Sequence, residues 1–132
     1  MATYPTDYRY TREHEWVSVK DDIATIGITD YAQHELGDVV FVGMPEVGTA
    51  LKAGQTLGSV ESVKTMSDIY APVSGSVVEI NSELANAPEK INQDPHGAAW
   101  LVRMKLADAT EVSTLLDAAA YQAFVAEKDS SA

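Results

Sequence analysis

The chain contains no cysteine, which excludes a disulfide framework, a thiolate metal site and a cysteine nucleophile. Any redox chemistry it takes part in must be borrowed from an attached group. Basic residues are scarce as well: 9 Lys and Arg stand against 20 Asp and Glu, a formal charge of −11. That charge repels phosphate backbones and anionic membrane surfaces and favours partners with basic docking faces, although solubility alone would also account for it. Neither nucleic acid nor a membrane is an expected partner. No apolar run approaches the length that spans a bilayer. The start, Met1-Ala2-Thr3-Tyr4-Pro5, has neither a basic head with an apolar run nor an arginine-rich amphipathic pattern. The expected location is a bacterial-type cytosol; a mature mitochondrial form with a new start methionine would look the same.

Other signatures are missing too. His14, His34 and His96 are far apart and have no ligand-spaced companions, so no metal site is expected. Serines and acids are plentiful, but no nucleophile elbow surrounds any of them, and no Gly-Lys-Ser/Thr follows the glycines near Gly54 and Gly58 to make a phosphate loop. With 132 residues and 45% hydrophobic content, the chain suits one domain, residues 1–132, that buries its core without staples.

Taken in order, residues 1–12 are polar and tyrosine-rich, a lead-in packed on a surface. Residues 14–20 read as a strand with Val17 and Val19 on one face and Trp16 and Ser18 on the other, and Asp21-Asp22 makes the turn into a second strand, residues 23–28. Thr29 or Asp30 can cap a short helix through Glu35, with Gly37 free for the left-handed stop position. Residues 39–44 are apolar on both faces and read as a strand buried between two layers, closed by Pro45 to Gly48. A hairpin follows at about 56–72, then a half-buried strand with Val78 and Ile80 inside and Glu79 outside. Residues 81–95 read as a loop with one helical turn. Residues 99–106 alternate, with Trp100, Val102, Met104 and Leu106 on the covered face. A helical segment at about 108–128 closes the chain: a short helix over 110–116, then one capped by Asp117 with Leu116, Ala120 and Phe124 spaced four apart, and frayed residues from 128 onward. Trp16 and Trp100 read as core aromatics. Many short strands with turn signals between them predict a mainly β chain, a small sandwich or flattened barrel with short peripheral helices and a C-terminal helix.

Within that frame one stretch stands apart. Lys64 is the only basic residue between Lys52 and Lys90, and strand-forming runs flank it on both sides. A lysine midway between two such runs sits at a hairpin tip, its backbone fixed by cross-strand pairing and its amine in solvent, the geometry an acylating enzyme needs. Spacing alone does not separate that reading from a plain surface lysine. Glu13 and Glu15 point to one side at the start of the first strand, and from the residues alone they read as a solvated edge.

Glu61-Ser62-Val63-Lys64, then Ser67-Asp68, then Pro72-Val73-Ser74-Gly75, resembles the lipoyl-lysine hairpin of the glycine cleavage H proteins. The resemblance extends through His14-Glu15-Trp16-Val17, Ala24-Thr25-Ile26-Gly27-Ile28-Thr29-Asp30-Tyr31-Ala32, Leu36-Gly37-Asp38-Val39-Val40 and Pro45-Glu46-Val47-Gly48, and from Gly97 to Trp100-Leu101. It covers nearly the whole chain; Gly43-Met44 departs from the family's usual acidic and leucine pair. The resemblance implies the lipoyl and biotinyl carrier fold, a barrel-sandwich hybrid of two small sheets. It implies lipoic acid joined by an amide to Lys64, in a carrier that is not itself an enzyme. A pyridoxal-phosphate glycine decarboxylase would load an aminomethyl group onto the arm. An aminomethyltransferase would then pass the carbon to tetrahydrofolate, and dihydrolipoamide dehydrogenase would reoxidise the dithiol. By the same resemblance Glu61, Ser62 and Val63, with Ser67 and Asp68, shape the turn and its recognition by a lipoyl or octanoyl transferase or a lipoate ligase. Glu15 and Asp68, with Glu13 held more loosely, would border a cleft into which the loaded arm folds. A carrier that visits several partners is expected to be a monomer.

Alternatives stay open at this point. Biotin acceptors flank their lysine with methionines, where Val63 and Thr65 stand here; a lipoyl domain of a 2-oxo acid dehydrogenase carries Asp-Lys-Ala and a Pro/Ala linker. A non-carrier interaction domain predicts no acylation, and a lipoate-relay protein predicts acylation with different partners.

Overall fold

The computed structural model describes the backbone of residues 4–131 and the side chains of residues 4–127; residues 1–3 of the lead-in and residue 132 lie outside them. Among the described residues nine strands form two antiparallel sheets. The larger holds, in spatial order, β1 (Arg9–Tyr10), β2 (Glu15–Lys20), β3 (Ile23–Ile28), β9 (Val102–Leu106), β8 (Gly75–Ile80) and β5 (Ala50–Leu51). The smaller holds β4 (Val39–Gly43), β6 (Thr56–Ser62) and β7 (Met66–Tyr70). Among the described residues neither sheet closes on itself, so the architecture is a two-sheet sandwich. Between β3 and β4 lies α1 (Asp30–Leu36); α2 (Glu83–Asn86) and α3 (Lys90–Gln93) follow β8; a 3-10 turn (Ala109–Thr114) leads to α4 (Ala118–Ser131).

The sandwich is held by apolar side chains from both sheets: Val17, Ile26, Val77, Val102 and Met104 from the larger and Val42, Val60 and Ile69 from the smaller, sealed by Leu84 of α2 and Ile91 of α3. A second cluster lies outside the larger sheet, where Tyr4, Tyr10 and Trp16 meet Ala118, Tyr121 and Val125 of α4. Trp16 lies over Gly27, where any side chain would meet its ring at 2.6 Å, and donates its indole N–H to Pro95 O at 2.8 Å.

This second cluster overturns several local expectations. The lead-in does pack on a surface, the outer face of the larger sheet, but it also contributes β1 and the buried Tyr4 and Tyr10. Glu15, Trp16 and Val17 are all buried, because β2 is covered on both faces, and it is Val19 that emerges. In α4 the buried positions are Ala118, Tyr121 and Val125, not the Leu116, Ala120 and Phe124 spacing, and the helix continues to Ser131. Asp117 does cap it, accepting from Ala120 N at 2.8 Å.

Two further corrections have a common cause in irregular pairing. The ladder between β4 and β6 slips between Val39 and Phe41, which leaves Val40 and Phe41 exposed on a strand expected to be buried on both faces. A similar slip between Val77 and Glu79 turns Val77 inward and Val78 out. Two short helices replace the single turn expected in 81–95. Trp100 is half-buried, ahead of β9, with the Arg103 guanidinium 4.1 Å from its ring.

Candidate functional site

The hairpin of β6 and β7 projects Lys64 at its tip. Glu61 pairs with Met66, Ser62 N donates to Thr65 O at 2.8 Å, and Val63 and Lys64 cross between the strands. No residue of the crossing has a positive φ, so a β-branched valine and a lysine fit it without strain. The Ser62 hydroxyl completes the turn: it accepts from Lys64 N and Thr65 N, each at 3.1 Å, and donates to Thr65 O at 3.3 Å. Val63 N donates to Asp38 O at 3.0 Å, which ties the tip to the chain entering β4. The backbone around Lys64 is therefore fixed, while the residue itself is exposed.

The lysine stem runs back over the end of α1. That helix starts at Thr29, whose hydroxyl accepts from Ala32 N at 3.2 Å, and it ends at Gly37, φ 78°. A side chain on Gly37 would lie 3.2 Å from Lys64 Cε and 3.8 Å from its Nζ. The glycine thus serves the helix stop and leaves room for the lysine.

Beside the hairpin opens a cavity of about 260 Å³. Tyr31, Ala32, Glu35 and Leu36 of α1 form one wall, Ser67 and Ile69 of β7 another, and Glu13, His14 and Ile28 complete it. Of the residues singled out in the sequence, the cavity gathers Glu13 and Ser67. Asp68 does not line it, because successive residues of a strand face opposite ways and Asp68 takes the outer face with Glu61 and Met66.

Glu15 is not at the wall either, nor on a solvated edge. It is 1% exposed. Thr11 Oγ donates to its Oε1 at 2.6 Å and Tyr70 N to its Oε2 at 3.2 Å, so the carboxyl joins the larger sheet to the last residue of β7. Burial pushes its pKa up to about 7 against the opposing effect of these two bonds, and nearby Glu13 adds to the rise.

Residues that carry no signal in the sequence shape this region. Thr11 positions Glu15, also accepting from Glu13 N and Glu15 N. His14, at φ 71°, shares a hydrogen bond of 2.8 Å between Nδ1 and Tyr121 O–H, and that hydroxyl also bonds Thr29 Oγ at 2.7 Å. Tyr121 therefore links the C-terminal helix to both the cavity wall and the cap of α1. Only the wall on α1 had a local signal, since residues 31, 32, 35 and 36 fall on one helical face. Among the described residues no group of three or more His, Asp or Glu could hold a metal, and no helix is long and apolar enough to cross a membrane.

Comparison with known proteins identifies the family. The family model of the glycine cleavage H-protein matches residues 8–128. A glycine cleavage system H protein of Acidobacterium capsulatum is 59% identical over 125 residues, covering 95% of this chain and 96% of the relative. One from Symbiobacterium thermophilum is 54% identical over 127 residues, covering 96% and 99%. The crystal structure of a glycine cleavage system H protein from Mycobacterium marinum superposes with a TM-score of 0.84 at 39% identity, covering 96% of this chain and 99% of that one. The chain belongs to the glycine cleavage H-protein family, the lipoyl carriers that serve the glycine cleavage system without being catalysts themselves.

Proposed function

We propose that this chain, as one carrier domain, bears its lipoyl group on Lys64. The observation that carries the assignment is the tip itself, an exposed lysine on a backbone held by Ser62 and Asp38, with its stem over Gly37, the residue that follows Leu36 of the cavity wall. The surroundings fit such a group: Gly37 puts no side chain in its path, and Ile28, Tyr31 and Leu36 offer apolar wall to a carbon chain. When bound, the lipoyl group supplies a dithiolane able to take up a one-carbon amine and two electrons; the difficult steps belong to the cofactors of the partner enzymes.

What the chain contributes is presentation and shelter. Tethering raises the effective concentration at each partner, so each docking can be weak and brief. Glu61, Ser62 and Val63, with Ser67 and Asp68, shape the turn and its recognition by the lipoylating enzyme. Glu13 at the wall and Glu15 behind it provide carboxyl groups for a cationic amine. A cation beside Glu15 favours its ionised form and draws its pKa down from about 7. The partners in this reading are glycine decarboxylase, aminomethyltransferase, dihydrolipoamide dehydrogenase and a lipoyl transferase or ligase, met by a monomer in the bacterial cytoplasm.

The test is the intact mass of the protein from a lipoate-competent host, with peptide mapping, beside Lys64→Arg. A lipoyl increment on the Lys64 peptide, absent from the variant, is expected. A biotinyl increment, or none even with added lipoate ligase, would sink the assignment.

A further inference from the structure

The outer face of the smaller sheet carries apolar side chains where a solvated face should be polar. Phe41, Glu61 and Met66 form one row across β4, β6 and β7, with Phe41 53% and Met66 59% exposed. Val40, pushed out by the slip in β4, is 53% exposed, and Val63 at the tip is 68% exposed. These four lie together at the hairpin end of the molecule, beside Lys64. Exposed apolar groups clustered in this way mark interaction surfaces.

We propose that this patch is the docking surface for the enzyme that acylates Lys64, which rests on the assignment of Lys64 above. Reach selects that occupant. An unmodified lysine extends its amine about 6 Å from its own backbone, so the acylating enzyme must close around the tip itself and press on whatever flanks it. Phe41 and Met66 sit on the two strands that flank β6, each one strand spacing, about 5 Å, from it. Enzymes that use the finished arm meet a long acyl chain and can act from farther away. Charge defines the partner more closely. Glu61 sits between Phe41 and Met66 and Asp68 in the next row, in a chain of net charge −11. The complementary surface is an apolar recess bordered by Lys and Arg around the mouth of the acyl site. There the Lys64 ammonium gives up one proton, its nitrogen forms the amide bond with the carbonyl of the enzyme's acyl adenylate, AMP leaves, and the new amide nitrogen releases a second proton.

The experiment follows initial rates of acylation by intact mass, with a lipoate ligase, lipoate and ATP. It compares the wild type, Lys64→Arg, the double variant Phe41→Ser/Met66→Ser, and a control, Val47→Ser/Val78→Ser, whose side chains are 58% and 44% exposed away from the tip. The patch variant is expected to lose about tenfold or more in kcat/KM, mostly through KM. The control should keep the wild-type rate. The patch variant, once loaded by long incubation, should be reduced by dihydrolipoamide dehydrogenase running in reverse on NADH as fast as the wild type. Should the double variant melt out, Met66→Ser alone reads the same loss. Equal acylation of patch variant and wild type overturns the patch and leaves the Lys64 assignment standing, as does equal loss in the patch and control variants. A wild-type dimer that the patch variant abolishes, with acylation unchanged, makes the face a self-association surface and overturns the proposal. A wild type that takes no acyl group, while another carrier domain does so beside it, overturns the Lys64 assignment as well.

Discussion

The tip around Lys64 and the base around Trp16 and Glu15 are built in opposite ways. At the tip nearly all the order is in the backbone: one hydroxyl, Ser62, makes three bonds, Asp38 O receives a fourth, and the side chains Val63, Lys64 and Met66 stand in solvent. At the base the side chains are fixed instead. Trp16 is wedged between Gly27 and Tyr8, whose ring centroid is 4.7 Å away, and Glu15 has both carboxyl oxygens bonded. A tip made this way can offer a flexible lysine from a rigid mount, and the base keeps that mount still. Stability should therefore be concentrated at the base, and accessibility at the tip.

The sharpest way to break this contrast is Trp16→Ala. Removing a large ring that is 1% exposed should cost about 3–5 kcal/mol through lost burial and the cavity left behind, read as a fall in the urea midpoint at unchanged slope. Val63→Ala, at a 68% exposed site, should move stability by no more than about 0.5 kcal/mol. Similar losses in the two variants would show that the tip shares the base's load.

Glu15 gives the next largest effect, and its sign is testable. Its folded pKa of about 7 lies above the ordinary 4.5, so between those values the folded protein binds more protons than the unfolded chain, and stability falls as pH rises. The contribution is fully present below 4.5 and lost as pH climbs through 7, a span of about 3 kcal/mol. Glu15→Gln stays neutral, can still accept from Tyr70 N and Thr11, and should lose this dependence. Urea midpoints of wild type and variant from pH 5 to 8 should converge or cross as pH rises in the variant's favour. Parallel curves would mean that water reaches the carboxyl.

Much of the tip was legible in the sequence and little of the base, for a physical reason. The strand–lysine–strand pattern, the Thr29 cap and the Gly37 stop are local: each depends on residues within one turn or one hairpin of the others. The burial of Glu15, which shares the inner face of β2 with Val17, depends on the smaller sheet, whose Tyr70 N, far along the chain, donates to its carboxylate. That of Trp16 depends on Tyr10 and Tyr121, which come from opposite ends of the chain and cover the outer face. No period within β2 could report a cover supplied from that far away, so the acid read as a solvated edge. The exposed Val40 and Phe41 were hidden for a related reason, since a ladder slip changes which face a residue takes without changing its sequence. The cavity was half visible, on α1 and not on the loop carrying Glu13 and His14.

A smaller effect than either Trp16→Ala or Glu15→Gln bears most directly on presentation. Ser62→Ala removes three hydrogen bonds at once, yet all are exposed, where water replaces a lost partner, so the global cost should be about 1 kcal/mol or less. The local consequence should be clearer. Lys64 N and Thr65 N lose their acceptor, and their amide exchange should quicken while Val60 and Ile69, inside the paired strands, keep their protection. Ser62→Thr, which retains the hydroxyl, should restore slow exchange at both positions. If the alanine variant exchanged as slowly as the wild type, the bond from Val63 N to Asp38 O and the pairing of Glu61 with Met66 would suffice to hold the tip. The serine would then matter only for what the acylating enzyme recognises. A quickened exchange accompanied by slower acylation would tie the rigidity of the mount to its use.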